Sequence, residues 1–464
     1  MVAAQTIQSL THQPPAGAGI GFLLTDGTAM FQANNLSDWY KLTPDNTGSY
    51  LNGTWTKLAS LPSGYVPDAF ASAVLADGRV IIEGGEYNFN NFALTNKGAI
   101  YDPVANTWTA VAPPPGWNNI GDSPSVVLPN GIYVIGNKLT KEMAALDPAT
   151  MQWTAIPSKN KKDFNAEEGW TLMPDGTILT FDVKAAPHAE RYLTTKLKWI
   201  SAGSTVVDLH SPTDIVGCIQ YPGGCYYPPG EVGPAILRPD GTVFATGSYT
   251  NGGSGPGHTS VYHPGATLTS RGTWKPGPDF PNQDNAGDSF AALLPNGNVL
   301  VAGVLGRFYE FDGSNLTFTA SGYGSLMILP TGQAIIGNNR VSLYTPAGTY
   351  LAEWAPAITD FPATIKRGST YQVSGRQFNG LSQAAAFGDE YETATNYPLV
   401  RITNKKTHHV FYARTHNHSS MGVATGSAIV STNFDVPAGA EKGASTLEVI
   451  ANGIPSPVVS VKVQ

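Results

Sequence analysis

Short apolar runs that end in a tight turn recur along this chain, and each turn leads into a second apolar run. The turns are Asp26-Gly27, Asp77-Gly78, Asn130-Gly131, Asp175-Gly176, Asp240-Gly241, Asn296-Gly297 and Thr331-Gly332. Asp-Gly and Asn-Gly suit the positive backbone angles of a two-residue hairpin turn, so each unit predicts a strand, a turn and a return strand. The pattern therefore predicts a repeat protein with seven units.

The spacing and the outer half of each unit indicate propeller blades. Successive turns lie between 35 and 65 residues apart, around the period of about 50 that Kelch blades show. A second turn with a following tryptophan marks the outer strands, at Tyr101-Asp-Pro with Trp108, Leu146-Asp-Pro with Trp153 and Tyr262-His-Pro with Trp274. A large aromatic at a repeated position is first a packing residue, so we expect these tryptophans in the core between blades.

The repeat stops near Trp354, and the chain then changes to short alternating segments. Residues 364–374 and 445–451 alternate apolar and polar side chains, and the chain ends on Pro457-Val-Val-Ser-Val-Lys-Val. About 110 residues of this kind suit a β-sandwich. We expect an all-β fold: a seven-bladed Kelch-type β-propeller over residues 1–354, followed by an immunoglobulin-like β-sandwich of the early-set type over residues 355–464.

Composition narrows the partners and the compartment. The chain has 464 residues, a formal net charge of −7, 13% charged residues, 51 glycines and 35 prolines. No basic run or basic domain appears, which argues against nucleic acid, and no stretch is long enough to span a bilayer. Cys218 and Cys225 are the only cysteines, and a disulfide between them would indicate a secreted or periplasmic protein. We expect a monomer that binds a small molecule or a saccharide.

Acidic residues recur where the innermost strand of a blade should begin. Counted back from the residue just before each turn's Asp or Asn, the seventh and eighth positions hold Asp68, Asp122, Glu167, Glu231 and Asp288, with Glu168 adjoining. These side chains should converge on one mouth of the central channel, where clustered like charges need protons or a cation. One interpretation is a divalent metal site, and the alternatives are carboxylates that bond backbone amides or a metal-free pair that moves protons.

The seven units and the alternating carboxyl domain resemble the galactose oxidase and glyoxal oxidase group. In that group a copper ion on the propeller axis is held by two tyrosines and two histidines, and one tyrosine is cross-linked to a cysteine. Thr415-His416 matches the histidine loop of the carboxyl domain, but the family's Tyr-His pair falls on Gly322-Tyr323 and the cysteine position falls near Ile20. The resemblance therefore implies the architecture and not the copper radical cofactor.

Other side chains complete the expected site. His416 or His418 should arrive from the carboxyl domain as a metal ligand or a proton carrier, with the choice between them open. Oxygen ligands alone suit Ca²⁺, while an added imidazole shifts the preference toward Mn²⁺ or Zn²⁺. Tyr226, Tyr227, Tyr323 and His258 lie in or beside Gly- and Pro-rich loops and are expected to contact substrate at the rim.

Two classes of function remain open, with a third less favoured. The first is a metal-dependent hydrolase of an ester, lactone or phosphoester, in which Asp288, His416 or His418 moves the proton. The second is a non-catalytic extracellular module that binds carbohydrate, and the third is an atypical oxidase related to galactose oxidase. Motifs for serine hydrolases, phosphate-binding loops, helical zinc proteases and dinucleotide enzymes are absent from the sequence.

Overall fold

The computed structural model describes residues 5–212, 215, 217–249 and 255–464. The described chain is built from short strands, with two single-turn 3₁₀ helices at Pro281–Gln283 and Ala352–Trp354. In this part of the chain no helix has the length and apolar character needed to cross a membrane. The all-β expectation is confirmed.

Seven antiparallel sheets of repeating design make up the first part of the described molecule, and six of them take four strands each in chain order. A small separate sheet of Pro67–Asp68, Tyr87–Asn88 and Asn91–Phe92 interrupts this order once, between Val80–Glu83 and Gly98–Asp102. Sheet 1 contains Gly21–Leu23, Ala29–Gln32, Trp39–Thr43 and Thr54–Lys57; sheet 2 contains Ala71–Val74, Val80–Glu83, Gly98–Asp102 and Thr107–Val111. Sheet 3 contains Ser125–Val127, Tyr133–Gly136, Met143–Asp147 and Gln152–Ile156; sheet 4 contains Thr171–Leu172, Ile178–Phe181, His188–Leu193 and Lys198–Ser204. Sheet 5 contains Ala235–Leu237, Val243–Thr246, Thr259–His263 and Thr273–Pro276; sheet 6 contains Ala291–Leu293, Val299–Gly303, Arg307–Phe311 and Leu316–Ser321.

Sheet 7 joins the two ends of this series. It contains Ser325–Ile328, Ala334–Gly337 and Ser342–Thr345, and its outer strand is Thr6–Ser9 from the start of the chain. Thr6 lies opposite Thr345 in the register. The first strand of each sheet is its inner strand, and inner strands contact one another between sheets 1 and 7, 7 and 6, 6 and 5, 5 and 4, and 3 and 2. The sheets thus follow one another around a common centre, as in a β-propeller.

The seven predicted turns are present, with one difference in their geometry. The glycine of each of the seven turns has a positive φ, between 75° and 88°. In the third sheet Gly131 N donates to Leu128 O and Leu128 N donates to Ile132 O, each at 2.8 Å. This is a three-residue loop with the glycine as a bulge, and not the two-residue turn that we expected. A proline before Asn or Asp in four of the turns, and before Thr331 in a fifth, presets the first loop residue for this geometry.

The repeated aromatics pack between neighbouring sheets, as the sequence predicted. Trp108 of sheet 2 lies 5.1 Å from Trp39 of sheet 1, measured between ring centroids. Trp274 of sheet 5 lies 6.4 Å from Phe181 of sheet 4, and its indole N–H donates to the Ala202 carbonyl at 3.0 Å. These rings join consecutive sheets through apolar contact and a satisfied polar atom.

The carboxyl part forms two sheets that share one strand. Its strands are Ala357–Asp360, Thr364–Ile365, Thr370–Arg376, Leu399–Asn404, Val410–His416, Val430–Asp435, Gly443–Ala451, Ile454–Pro455 and Val459–Val463. The shared strand, Val410–His416, pairs through its first half with Leu399–Asn404 and through its second half with Val430–Asp435. Side chains of both sheets, including Val373, Ile402 and Leu447, form a separate apolar core.

The carboxyl part covers the face of the seven sheets that carries the glycine turns. Thr415 N donates to Thr25 O and His418 N donates to Ala76 O, both at 3.0 Å. The Gly78 Cα lies against the same strand, because a Cβ added there would meet Thr415 O at 3.2 Å. We call this side the turn face. The acidic residues at the start of the inner strands therefore lie toward the opposite face.

Residues 381–397, which we call the inserted segment, leave the carboxyl part and enter the centre of the seven sheets. Ala385–Ala386 pairs with Ala291 and Ala292 of the sheet 6 inner strand. Side-chain bonds reach the inner strand of sheet 4, where Leu172 N donates to Gln383 at 2.8 Å, and that of sheet 7, where Thr393 donates to Leu326 O at 3.0 Å. A segment that contacts sheets on several sides must occupy their common centre.

Candidate functional site

A reversed backbone angle just before the inner strand marks three of the acidic positions. Ala69, beside Asp68, has a φ of 51°, Glu167 has 57° and Asp288 has 47°. Non-glycine residues rarely adopt this left-handed region, and such strain persists only where the surroundings impose it. It recurs in alternate sheets, the second, fourth and sixth. The chain is thus held in an uncommon conformation at the positions that present carboxylates.

A buried lysine lies among these carboxylates. Lys138 follows the return strand of sheet 3 and has no exposed surface. Its ammonium pairs with Glu167 at 2.6 Å and also with Asp122, and both carboxylates are buried. Burial opposes the charge on Lys138, but the two carboxylates outweigh it and raise the pKa of Lys138 well above its usual range. Burial acts to raise the pKa of Glu167, but the charge of Lys138 opposes burial and the pKa is lowered.

The inserted segment adds two more carboxyl groups at the same place. Asp389 shares hydrogen bonds with Glu167 and Glu390, and burial raises the pKa of both Asp389 and Glu390 well above the ordinary range. One oxygen each of Asp122, Glu167 and Asp389 lie within 4.8 Å of one another. Asp122 Oδ1 and Asp389 Oδ1 are buried and have no hydrogen-bond partner among the described residues. These orphaned acceptors fit an additional cation beside the Lys138 ammonium.

Nearer the solvent lies a second group of carboxyls with raised pKa values. Burial and the charge of Glu167 raise the pKa of Asp288 to about 6, although a hydrogen bond with Glu231 opposes this shift. Burial, together with the charges of Glu167 and Asp288, raises the pKa of Glu86 to about 7 and outweighs the attraction of Lys138. Part of the Asp288 residue is exposed to solvent, although many protein atoms lie around its carboxyl group. Asp288 therefore lies at the rim of the group. Asp288 and Glu86 can therefore exchange protons near neutral pH.

We call the combined group the carboxylate mouth. It comprises Asp68, Glu86, Asp122, Glu167, Glu231, Asp288, Asp389 and Glu390. The sequence pattern placed five of these at the mouth, and the structure brings all five together. Asp68 Oδ1 accepts from the Tyr391 hydroxyl at 2.8 Å, which attaches the inserted segment to sheet 2.

The cysteine loop forms one wall of the mouth. Ile219–Tyr221 and Gly224–Tyr226 make a small hairpin, and the predicted disulfide between Cys218 and Cys225 is present. Tyr226, at the end of the hairpin, donates its hydroxyl to Glu167 at 2.5 Å, and the Lys138 ammonium lies 5.1 Å from the centre of its ring. Burial raises the pKa of Tyr226, so it remains a donor.

The other predicted rim residues have separate surroundings. Tyr323 lies at the mouth and donates its hydroxyl to the Asp288 backbone carbonyl at 3.0 Å. Tyr227 follows Tyr226 but is 63% exposed and points to solvent. His258 pairs with Asp279 at 2.7 Å, and none of its described contacts involves the carboxylate mouth.

The expectation that His416 or His418 reaches the metal site is corrected. His416 pairs with Asp435 at 3.2 Å within the carboxyl part. His418 is buried against Tyr397 and Thr432, and burial lowers its pKa to about 3, which keeps it neutral. Both lie by the turn face, because the strand that carries them covers the turns. The inserted segment reaches the mouth in their place and supplies carboxylates.

Glu168 faces away from the mouth into a second buried network. Lys161 pairs with Glu168 at 2.8 Å and with Glu190 at 2.9 Å, and its ammonium lies 4.9 Å from the centre of the Trp199 ring. Asp182 completes the acidic set and pairs with His188 at 2.6 Å. Glu190 also accepts the backbone N–H groups of Lys162 and Asp163, which suits a structural role for this network.

Sequence reasoning missed Lys138, Glu86, Asp389 and Glu390. Glu86 and Lys138 each follow the return strand of their sheet, three and two residues after its end. Counting forward from the return strands, as well as back from the turns, would have found both. Asp389-Glu390 lies in the sequence Gly-Asp-Glu-Tyr-Glu, an acidic stretch inside a domain of low charge. Nothing in that stretch indicates that it enters the centre of the sheets.

Comparisons with known proteins agree with the repeat and assign no activity. No protein-family model matches the chain. The chain is similar to the Kelch-like protein terF of Aspergillus terreus, with 26% identity over 120 residues, which are 23% of this chain and 26% of that protein. The match thus spans about a quarter of that relative's length.

Solved structures with a similar course of the chain are more distant in sequence. A catalytically inactive virginiamycin B lyase from Staphylococcus aureus is 10% identical, with a TM-score of 0.49 over 74% of this chain and 99% of that one. The extracellular domain of a putative hybrid two component system from B. thetaiotaomicron is 10% identical, with a TM-score of 0.49 over 100% of this chain and 60% of that one. Scores at this level carry no argument about function.

Proposed function

We propose that this protein is a secreted or periplasmic hydrolase that holds a hard divalent cation in the carboxylate mouth and cleaves an ester, lactone or phosphoester. In this proposal the seven sheets are the blades of a Kelch-type β-propeller over residues 1–354, and residues 355–464 are an immunoglobulin-like domain. The succession of seven four-stranded units and the strand shared by the two carboxyl sheets support that assignment.

The observation that carries the proposal is the imbalance of charge. The eight carboxyl groups of the mouth have one described ammonium group, Lys138, among them. Carboxylates that are removed from water cannot all be ionised without compensation, so the mouth must take up protons or a cation. The unpartnered oxygens of Asp122 and Asp389 favour a cation, because a buried acceptor without a partner is unfavourable.

The donor set selects the class of cation. Asp122, Glu167 and Asp389 offer oxygen atoms alone, and none of the described hydrogen bonds of these residues involves a histidine. Ca²⁺ and Mn²⁺ suit such a set, whereas Zn²⁺ prefers nitrogen and sulfur ligands. A bound cation of this class would polarise a carbonyl or phosphoryl oxygen of the substrate.

The chain's own residues supply the proton transfer. Glu231 and Asp288 share a hydrogen bond that requires one proton between two carboxyls, and Asp288 reaches solvent. With a pKa of about 6, Asp288 can accept a proton from an attacking water and return it to a leaving group. Tyr323 fixes the backbone at Asp288 through its hydroxyl.

Cation binding is tested first, by elemental analysis of protein dialysed against Ca²⁺ or Mn²⁺. We expect about one ion per chain in the parent protein and in His416→Gln, and loss of the ion in Asp389→Asn. Glu353→Gln, an exposed carboxylate outside the mouth, is the matched control. Absence of any bound ion in the parent protein, or retention in Asp389→Asn, would overturn the cation site.

Turnover is tested separately on a panel of esters, lactones and phosphoesters. Asp288→Asn should lose at least 100-fold in kcat with an unchanged melting temperature, since proton transfer commonly supplies a factor of about 100 to 10,000. A protein that binds the cation and hydrolyses none of these substrates would favour the second candidate below.

The second candidate is a non-catalytic binding module, with a saccharide or another small molecule as ligand. It is favoured by the hydrogen bond from Tyr391 to Asp68, which joins the inserted segment to the chain just before the inner strand of sheet 2. In that case the carboxylates stabilise the centre of the fold. Loss of stability in Asp389→Asn, in a protein that hydrolyses none of the panel substrates, would support it.

A further inference from the structure

A cleft of about 330 Å³ opens beside the carboxylate mouth, between sheets 1 and 7. Its walls include Asp68, Gln32, Phe290, Tyr323 and Tyr391. No lysine, arginine or histidine is among the described residues that line it. A site of this size can hold a small organic ligand.

Two side chains that line the cleft, Gln32 and Asp68, each offer an acceptor oxygen without a partner in the described structure. Gln32 uses its amide N–H groups internally, donating to Leu36 O and to Pro67 O at 2.9 Å each, which leaves its carbonyl oxygen. Asp68 Oδ1 is occupied by Tyr391 and by the Ala69 N–H, while its Oδ2 has no partner in the described structure. Asp68 is half-buried, so this oxygen can meet a ligand. Such a wall matches a ligand group that only donates hydrogen bonds.

Aromatic rings form the rest of the wall. Phe290 and Tyr391 are nearly parallel, at 15°, with centroids 6.2 Å apart, and Phe387 supports Phe290 at 4.7 Å. Tyr323 is 37% exposed and offers its ring to the cleft. Aromatic faces attract cations through the ring quadrupole.

The charge around the cleft has one sign. Asp68 acts on Glu86, and both Glu86 and Tyr391 carry pKa values raised in part by the Asp68 charge, after burial. The Lys138 ammonium is engaged by Asp122 and Glu167 and does not line the cleft. An anionic ligand would therefore be repelled, and a neutral one would leave the Asp68 charge unpaired.

We propose that the cleft binds a primary ammonium group, with Asp68 and Gln32 accepting its N–H donors and Phe290, Tyr323 and Tyr391 contacting the attached carbons. If the protein is the proposed hydrolase, its substrate carries an amine, and only this assignment of a substrate rests on the proposed function. Binding itself requires neither a metal ion nor turnover.

Calorimetric titration at pH 7 with benzylammonium and with benzyl alcohol tests the inference. The two probes have nearly the same shape and apolar surface and differ in charge. Titrating chelator-treated protein and cation-loaded protein separately keeps this result apart from the hydrolase test. We expect benzylammonium to bind both samples at least tenfold more tightly than the alcohol.

Two variants locate the binding. Asp68→Asn keeps the shape of the side chain and should weaken benzylammonium at least tenfold while leaving benzyl alcohol unchanged. Asp279→Asn, which removes a carboxylate beside His258, should change neither. Equal affinity for the two probes, no heat with benzylammonium at 20-fold the concentration of protein, or full retention in Asp68→Asn would overturn the inference. If Asp68→Asn fails to fold, Tyr323→Leu provides the same comparison, with an expected loss of at least threefold for benzylammonium.

Discussion

At the scale of single residues, Lys138 determines the state of the carboxylate mouth. Its ammonium has no exposed surface and pairs with two buried carboxylates. Breaking a buried pair is costly because the remaining charge has neither water nor a partner. The same residue also limits where a cation can bind, since it occupies one oxygen of Asp122 and one of Glu167.

Replacing Lys138 with methionine should destabilise the protein by about 3 to 5 kcal/mol at pH 7. Without the ammonium, Asp122 and Glu167 take up protons in the folded state more readily than in the unfolded state, so the loss should shrink toward pH 5. Urea unfolding at pH 5 and pH 7 measures this. Adding Glu167→Gln to Lys138→Met should recover part of the loss, and Lys159→Met, at an exposed lysine, should stay within about 0.5 kcal/mol. A loss that is independent of pH would contradict the argument.

Glu86 and Asp288 should make stability fall as pH rises. Their folded-state pKa values of about 7 and about 6 lie above the ordinary values of 4.5 and 3.8. Between those limits the folded protein binds more protons than the unfolded chain, so the free energy of unfolding decreases with pH. We expect a decrease on the order of 2 kcal/mol from pH 5 to pH 8 in metal-free protein, mostly from Glu86, because Asp288 is exposed and solvent screens its contribution. Unfolding curves of Glu86→Gln should show a shallower slope, whereas those of Glu353→Gln should match the parent.

At the scale of elements, the hairpin of the cysteine loop and the inserted segment assemble the mouth. The sequence predicted the first of these elements but not the second. The Pro/Gly-rich loop between two cysteines predicted the disulfide, because a short loop closes easily. The inserted segment carries only an acidic stretch, and its pairing with Ala291 and Ala292 joins residues nearly 100 positions apart.

Replacing both Cys218 and Cys225 with serine should lower the free energy of unfolding by about 2 kcal/mol, from the entropy of so short a loop. It should also weaken cation binding, because the hairpin positions Tyr226 against Glu167. Tyr226→Phe separates the two effects, since it removes the hydroxyl and leaves the disulfide. Urea unfolding measures the stability of both variants, and ion uptake measures their affinity for the cation. An unchanged ion affinity in both variants would show that the hairpin is not part of the cation site.

At the scale of the whole molecule, closure depends on a strand from the other end of the chain. Thr6–Ser9 pairs with Ser342–Thr345 and completes sheet 7. Without this outer strand, the edge of Ser342–Thr345 would be left unpaired.

Deleting residues 1–9 should lower the melting temperature by 10 °C or more. Deleting residues 1–5 leaves the whole strand Thr6–Ser9 and should change the melting temperature by only a few degrees. Scanning calorimetry measures both, and the peptide Thr6–Gln13 added to the shorter chain should restore part of the difference. Equal melting temperatures for the two truncated chains would show that the strand does not hold the sheets together.

The repeating strands, the turn glycines, the packing tryptophans and five of the mouth carboxylates could be predicted from the sequence, because each follows from local periodicity and turn chemistry. Tertiary structure alone decided which face the carboxyl part covers. That choice places His416 and His418 at the turn face and sends Asp389 and Glu390 to the mouth. It also decided that Glu168 turns away while Glu167 turns inward, through a reversed backbone angle at Glu167. Contacts between distant segments leave no periodic trace along a chain, so they emerge only when the sheets close.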